Sequence, residues 1–87
     1  MEIFPDPFSE SATISISIIQ QEHVSIKIYD ITGREIKSLI DADMSSGIHT
    51  FTWNGSDDFN NAVGNGIYIV RSETGSFRET KKVSMVR

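Results

Sequence analysis

Apolar and small polar residues alternate along most of the chain. Thr13-Ile14-Ser15-Ile16-Ser17-Ile18 shows the pattern first, and Val24-Ser25-Ile26-Lys27-Ile28 and Thr50-Phe51-Thr52-Trp53 repeat it. Successive side chains of a strand face opposite ways, so each run offers one face to a core and one to water. Ile, Val, Thr and aromatic residues dominate these runs, as a half-buried pleated surface requires. The pattern predicts strands near Ala12–Ile19, His23–Asp30, Glu35–Ile40, Ile48–Asn54, Gly66–Glu73 and Phe77–Val86. Helix is disfavoured. The one candidate, Lys37–Met44, has weak apolar spacing and no good cap.

The connections agree with short antiparallel strands. Ile31-Thr32-Gly33-Arg34 places a glycine where a hairpin needs positive φ. Ser45-Ser46-Gly47, Asn54-Gly55 and Thr74-Gly75-Ser76 are further turn signals. The expected fold is all-β, an immunoglobulin-like antiparallel β-sandwich of about seven strands. Residues 1–11 read as a linker-like entry segment and edge strand, and 12–87 as the sandwich. Pro5 and Pro7 bar the entry segment from the middle of a sheet, with Phe4 or Phe8 tucked onto the core. The alternation nominates a core of Ile14, Ile16, Ile18, Val24, Ile26, Ile28, Ile36, Leu39, Phe51, Trp53, Tyr68, Val70, Val83 and Met85. In the Gly66–Glu73 strand Ile67 and Ile69 are as apolar as Tyr68 and Val70. A central strand or a partner surface would each explain that.

Composition narrows the function. The chain has 87 residues, room for one domain, and no cysteine, so neither a disulfide nor a thiolate metal site. Eight basic and twelve acidic side chains give a net charge of −4, which repels nucleic-acid phosphate. No apolar run approaches the ~18 residues of a spanning helix, so no membrane insertion is expected. The opening Met1-Glu2-Ile3-Phe4-Pro5 lacks the basic start and apolar stretch of a signal peptide. The chain reads as a piece from the end of a longer protein.

Candidate chemistry is sparse. His23 and His49 stand in strands without a neighbouring ligand cluster, and solvated strand positions explain both. No serine has the flanks of an activated nucleophile. The carboxylate pairs Asp41/Asp43 and Asp57/Asp58 lie in turn-rich stretches that favour Asp for its bonds to local backbone. No catalytic residue and no cofactor is expected. Calcium is the one metal considered, at Asp57, Asp58 and Asn60 in the oxygen-rich loop Asn54–Gly66. The loop lacks the EF-hand order, and a long turn with Asx motifs accounts for the same letters. Trp53, Tyr29 and Tyr68 would suit sugar stacking, but Trp53 and Tyr68 fall at core positions, where Tyr68 can bond a backbone carbonyl as a tyrosine corner. Arg78, Lys81, Lys82 and Arg87 make the last strand basic within an acidic chain. Edge protection and recognition by a receptor both explain such a strand.

Five stretches, in order, carry a family resemblance: Phe4-Pro5-Asp6-Pro7-Phe8; Val24 to Ile36 with Tyr29-Asp30 and Gly33-Arg34; Gly47-x-His49-x-Phe51-x-Trp53-Asn54-Gly55; Gly66-Ile67-Tyr68-x-x-Arg71; and Glu79-Thr80-Lys81-Lys82-Val83. Together they resemble the type A C-terminal sorting domains of the Bacteroidetes type IX secretion system. Phe4 and Asp6 stand where Tyr and Asn are usual, and Ser84-Met85-Val86-Arg87 is less apolar than the family's ending. The same pattern is similar to the immunoglobulin-like domain of the flagellar hook-capping protein.

The resemblance implies a non-catalytic signal domain that directs a fused cargo across the outer membrane to the cell surface, via the periplasm of a Gram-negative bacterium. Its implied partners are the N-terminal cargo, the outer-membrane secretion machinery and a sortase-like peptidase that cuts in or before Phe4–Phe8. Receptor recognition is expected on the C-terminal strand at Lys81, Lys82, Val83, Met85 and Arg87, with Gly33, Trp53, Gly66 and Tyr68 as structural motif residues. The competing readings are a structural or carbohydrate-binding accessory module of a secreted enzyme, or a flagellar hook scaffold domain.

Overall fold

The computed structural model describes residues 1–87. Seven strands follow one another: β1 (Glu2–Phe4), β2 (Ala12–Ile18), β3 (Glu22–Tyr29), β4 (Glu35–Met44), β5 (Gly47–Trp53), β6 (Gly66–Thr74) and β7 (Arg78–Met85). There is no helix. The stretch Lys37–Met44 is strand, carried to Met44 by pairing with β3 rather than ending near Ile40. The strands form a three-stranded sheet in the order β1-β2-β5 and a four-stranded sheet in the order β4-β3-β6-β7. All neighbouring strands are antiparallel. The arrangement is an immunoglobulin-like β-sandwich.

Alternation sets the faces. In β2 the isoleucines Ile14, Ile16 and Ile18 are buried while Thr13 and Ser15 are half-buried and Ser17 is exposed. In β3 the buried set is Val24, Ile26 and Ile28. Ile36, Trp53, Tyr68, Val70, Val83 and Met85 complete most of the core. Two expected members are only half-buried. Phe51 lies on β5, the rim strand of its sheet, and Leu39 is the extra residue where the β3–β4 register shifts between the Lys27↔Ser38 and Ile26↔Ile40 pairs. Ala12 and Phe8 join the core in addition. The choice between the two entry phenylalanines is sharp: Phe8 is 2% exposed and Phe4 50%.

The entry segment closes one side of the sandwich. β1 pairs with β2, with Ile3 opposite Ile14. The chain then crosses to the other sheet, where Phe8 bridges β7 in parallel. Its N–H donates to the Ser84 carbonyl at 2.9 Å, and its carbonyl accepts from Val86 N–H at 2.9 Å. Asp6 Oδ1 accepts the Ser84 N–H at 3.0 Å. The prolines thus stand at the crossing between sheets, outside both ladders. β6 lies between β3 and β7, so it is central within its sheet. Its outer face remains uncovered, with Ile67 exposed and Ile69 half-buried.

The β3–β4 hairpin rests on one carboxylate. Asp30 Oδ1 accepts from Thr32 Oγ1, Thr32 N–H and Arg34 N–H. These bonds, the Thr32 hydroxyl first, hold the Asp30 carboxyl below its usual range. Gly33 at φ 91° completes the turn, in a region that a Cβ makes costly.

Candidate functional site

The last strand lies at an edge of the four-stranded sheet, paired to β6 from Gly66↔Met85 to Glu73↔Arg78. Its residues alternate between core and solvent. The five positions expected for recognition therefore divide into three kinds. Val83 and Met85 are 1% and 0% exposed, and their side chains seat the strand in the core, out of reach of a surface partner. Lys81 and Lys82 are exposed. Lys81 Nζ lies 3.9 Å from the Glu79 carboxylate, while Lys82 has no carboxylate within ion-pair distance.

Arg87 is different again. Its Nη1 donates to the Val63 carbonyl at 3.0 Å, and its Nη2 to the carbonyls of Asn54 at 3.0 Å and Gly55 at 3.4 Å. Its backbone N–H donates to Asn65 Oδ1 at 3.0 Å, and the Asn65 amide returns a bond to the Arg87 carbonyl. A planar five-donor guanidinium suits such a cluster of carbonyls. Arg87 therefore ties the loop between β5 and β6 to the end of β7. Gly55 makes room for it. Its φ is 76°, and a Cβ there would stand 2.6 Å from Met85 Sδ and closer still to the guanidinium.

The same loop holds the aromatic cluster in place. Trp53 Nε1 donates to the Ser56 carbonyl at 2.8 Å, inside the core. Its ring meets Phe8 at 5.5 Å between centroids and Tyr68, edge to face, at 5.2 Å. The Tyr68 hydroxyl donates to the Gly64 carbonyl at 2.5 Å, and burial pushes its pKa up. That is the bond anticipated for a tyrosine corner. Gly66 opens β6 opposite Met85.

Asp57, Asp58 and Asn60 share the loop, each with a backbone task. Asp57 Oδ1 accepts the N–H groups of Phe59 and Asn61, both at 2.9 Å. Asp58 reaches β4, where its N–H donates to Ile36 O and its Oδ1 accepts from Ser38 N–H. Asn60 takes a left-handed φ of 65°. No three His, Asp or Glu side chains converge in the molecule in a way that would hold a metal ion.

Of the two histidines, His23 is exposed and His49 half-buried. His49 Nε2 lies 2.8 Å from the Ser45 carbonyl. His23 stands between two carboxylates, Nε2 at 2.5 Å from Asp41 and Nδ1 at 3.2 Å from Asp43. Those bonds, Asp41's first, raise its pKa above 6.5. Tyr29, on the uncovered outer face, carries the Arg71 guanidinium 5.0 Å from its ring centre. The sequence signalled the basic strand and the aromatic core. It gave no signal for Asp6, Asn65 and the Arg87 contacts, because each joins groups far apart in the chain.

The model of the secretion system C-terminal sorting domain matches residues 2–86. The chain belongs to that family. The sorting domain is thus a C-terminal signal of type IX secretion, and domains of this kind are non-catalytic. Among solved structures it is similar to the dimeric latent PorU of Porphyromonas gingivalis, with 26% identity, a TM-score of 0.79 and 98% of this chain covered. PorZ of the type IX secretion system of the same organism aligns over 99% of this chain, with 20% identity and a TM-score of 0.66. FlgD from P. aeruginosa aligns over 86% of this chain and 58% of its own, with 21% identity and a TM-score of 0.66. The sorting domain spans 9% of the PorU chain and 11% of the PorZ chain. Likeness to PorZ and FlgD at these identities establishes the fold alone. Comparison with curated protein sequences gives no match.

Proposed function

We propose that this domain is the folded address of a longer secreted protein, carried across the outer membrane with its cargo and delivered to the cell surface. The route begins in the periplasm of a Gram-negative bacterium, where the sandwich folds and is met by the outer-membrane secretion machinery. The observation that supports this reading most is the family match from residue 2 to residue 86, which takes in both the entry segment and the basic last strand. The fold offers the machinery a rigid body with exposed lysines on one edge, seated by Val83 and Met85.

In this reading a sortase-like peptidase then separates cargo from address. A peptidase needs an extended, accessible segment. Glu2–Phe4 is held in a sheet, and Phe8 is buried and bonded to β7. The cut therefore falls before β1 or in the exposed Pro5–Pro7 stretch between these two anchored elements. The FlgD likeness brings no second function with it.

The test is a transplant. Residues 1–87 are fused to a periplasmic reporter enzyme in a type IX-competent host, and surface activity is measured on intact cells. Delivery to the surface is expected, and deletion of Lys81–Arg87 from a natural parent protein is expected to hold that parent in the periplasm. A reporter that stays periplasmic, or a truncated parent secreted normally, overturns the reading.

A further inference from the structure

The outer edge of β7 is sealed over only half its length. At Ser84 both backbone groups turn outward, the N–H to Asp6 Oδ1 and the carbonyl to Phe8 N–H. Val86 N–H also turns outward, to Phe8 O. The β6–β7 register runs without a break, and in an antiparallel ladder the backbone direction alternates residue by residue. Thr80 and Lys82 therefore turn their N–H and C=O groups outward too, and no backbone bond reaches them there. The segment Arg78–Lys82 is an open strand edge, a template for a further strand.

Its side chains state what can pair with it. Arg78, Lys81 and Lys82 outnumber the single acid Glu79, within a chain of net charge −4. Arg78 leans to Glu73 at 3.4 Å and Lys81 to Glu79 at 3.9 Å. Lys82 is left uncompensated, opposite Ile69 on the uncovered outer face and one pair from the exposed Ile67. Like charges exclude basic strands, and unpaired cations favour an acidic one. We infer that Arg78–Lys82 accepts, by strand addition, an extended acidic segment of a partner protein, a carboxylate on its outer face meeting Lys82. This deepens the sorting reading and rests on it, since it names how the last strand is met.

Proline gives a selective test. Thr80→Pro removes an outward donor and no bond of the β6 ladder, so the sandwich keeps its melting temperature. Surface delivery of a natural parent carrying the domain is expected to fall about tenfold with Thr80→Pro and with Lys82→Glu, and to be unchanged with Lys82→Arg. A blocked peptide alternating glutamate and valine is expected to bind the full chain in fluorescence anisotropy, and to lose about tenfold in affinity against Thr80→Pro. Should the proline variant melt early, Lys82→Glu carries the test with the backbone intact. Normal delivery of both variants overturns strand addition. So does preference for a lysine–valine peptide, or a concentration-dependent dimer that Thr80→Pro abolishes, which would assign the edge to a second copy. If both variants are delivered normally while deletion of Lys81–Arg87 still blocks export, strand addition falls and the sorting reading stands. If the deletion is also harmless, the sorting reading itself falls.

Discussion

Phe8 and Ser84 meet through their backbones, the N–H of Phe8 donating to the carbonyl of Ser84 at 2.9 Å. That bond joins the entry of the chain to its last strand. It also fixes where Phe8 places its ring, against Trp53 in the core.

Phe8→Ala is expected to cost about 3–5 kcal/mol in denaturant unfolding, the range for emptying a buried aromatic site. Hydrogen exchange localises the effect. The amides of Ser84 and Val86, which donate to Asp6 and Phe8, lose protection first. A loss under 1 kcal/mol would mean that the entry segment merely lies on the domain.

Gly55 and Arg87 occupy each other's space. Gly55→Ala is expected to cost about 1–2 kcal/mol from the left-handed backbone alone, with the guanidinium clash in addition. Arg87→Ala removes the guanidinium clash, leaving the contact with Met85 Sδ, while giving up the bonds to Asn54, Gly55 and Val63. The double variant is therefore less destabilised than the sum of the singles, and a double-mutant cycle measures the difference. Strict additivity would dismiss the clasp.

His23 donates to two carboxylates only as the imidazolium, since a neutral ring donates from one nitrogen. Its raised pKa stabilises the fold fully below 6.5, and the contribution fades as pH rises through the higher folded value. The melting-temperature gap between the native chain and His23→Gln is expected to be widest in mild acid and to close on the alkaline side. Asp30 has the opposite sign, because its lowered pKa stabilises above 3.8 and is lost as pH falls through the folded value. Subtracting the His23→Gln curve separates the two. A gap that widens with rising pH would refute the His23 assignment.

The Asp57 and Asp58 carboxylates have backbone donors as partners. Titrating millimolar calcium is expected to leave the melting temperature in place, and Asp57→Ala to cost about 1 kcal/mol in denaturant unfolding through the two lost N–H bonds. A calcium-dependent rise that Asp57→Ala removes would instead make this loop an ion site.

Much of the fold was written locally. The isoleucines of β2 and β3 declare a two-sided strand within a few residues, and Asp30 with Gly33 declares the turn that joins β3 to β4. Trp53 and Tyr68 declare an aromatic core by their place in that alternation. The order of short motifs also pointed to the sorting family. These are nearest-neighbour signals, and a period of two suffices to read them. Other features depend on which strands become neighbours. Nothing near Asp6, Phe8 or Arg87 in the chain says that they meet Ser84, Trp53 or the carbonyls of the β5–β6 loop. Alternation already withdrew Val83 and Met85 into the core, but the strand itself does not say that Lys82 keeps an open edge. Alternation assigns a residue to one face or the other; only the packed sheets decide which face is covered, because covering is a contact between segments far apart in sequence.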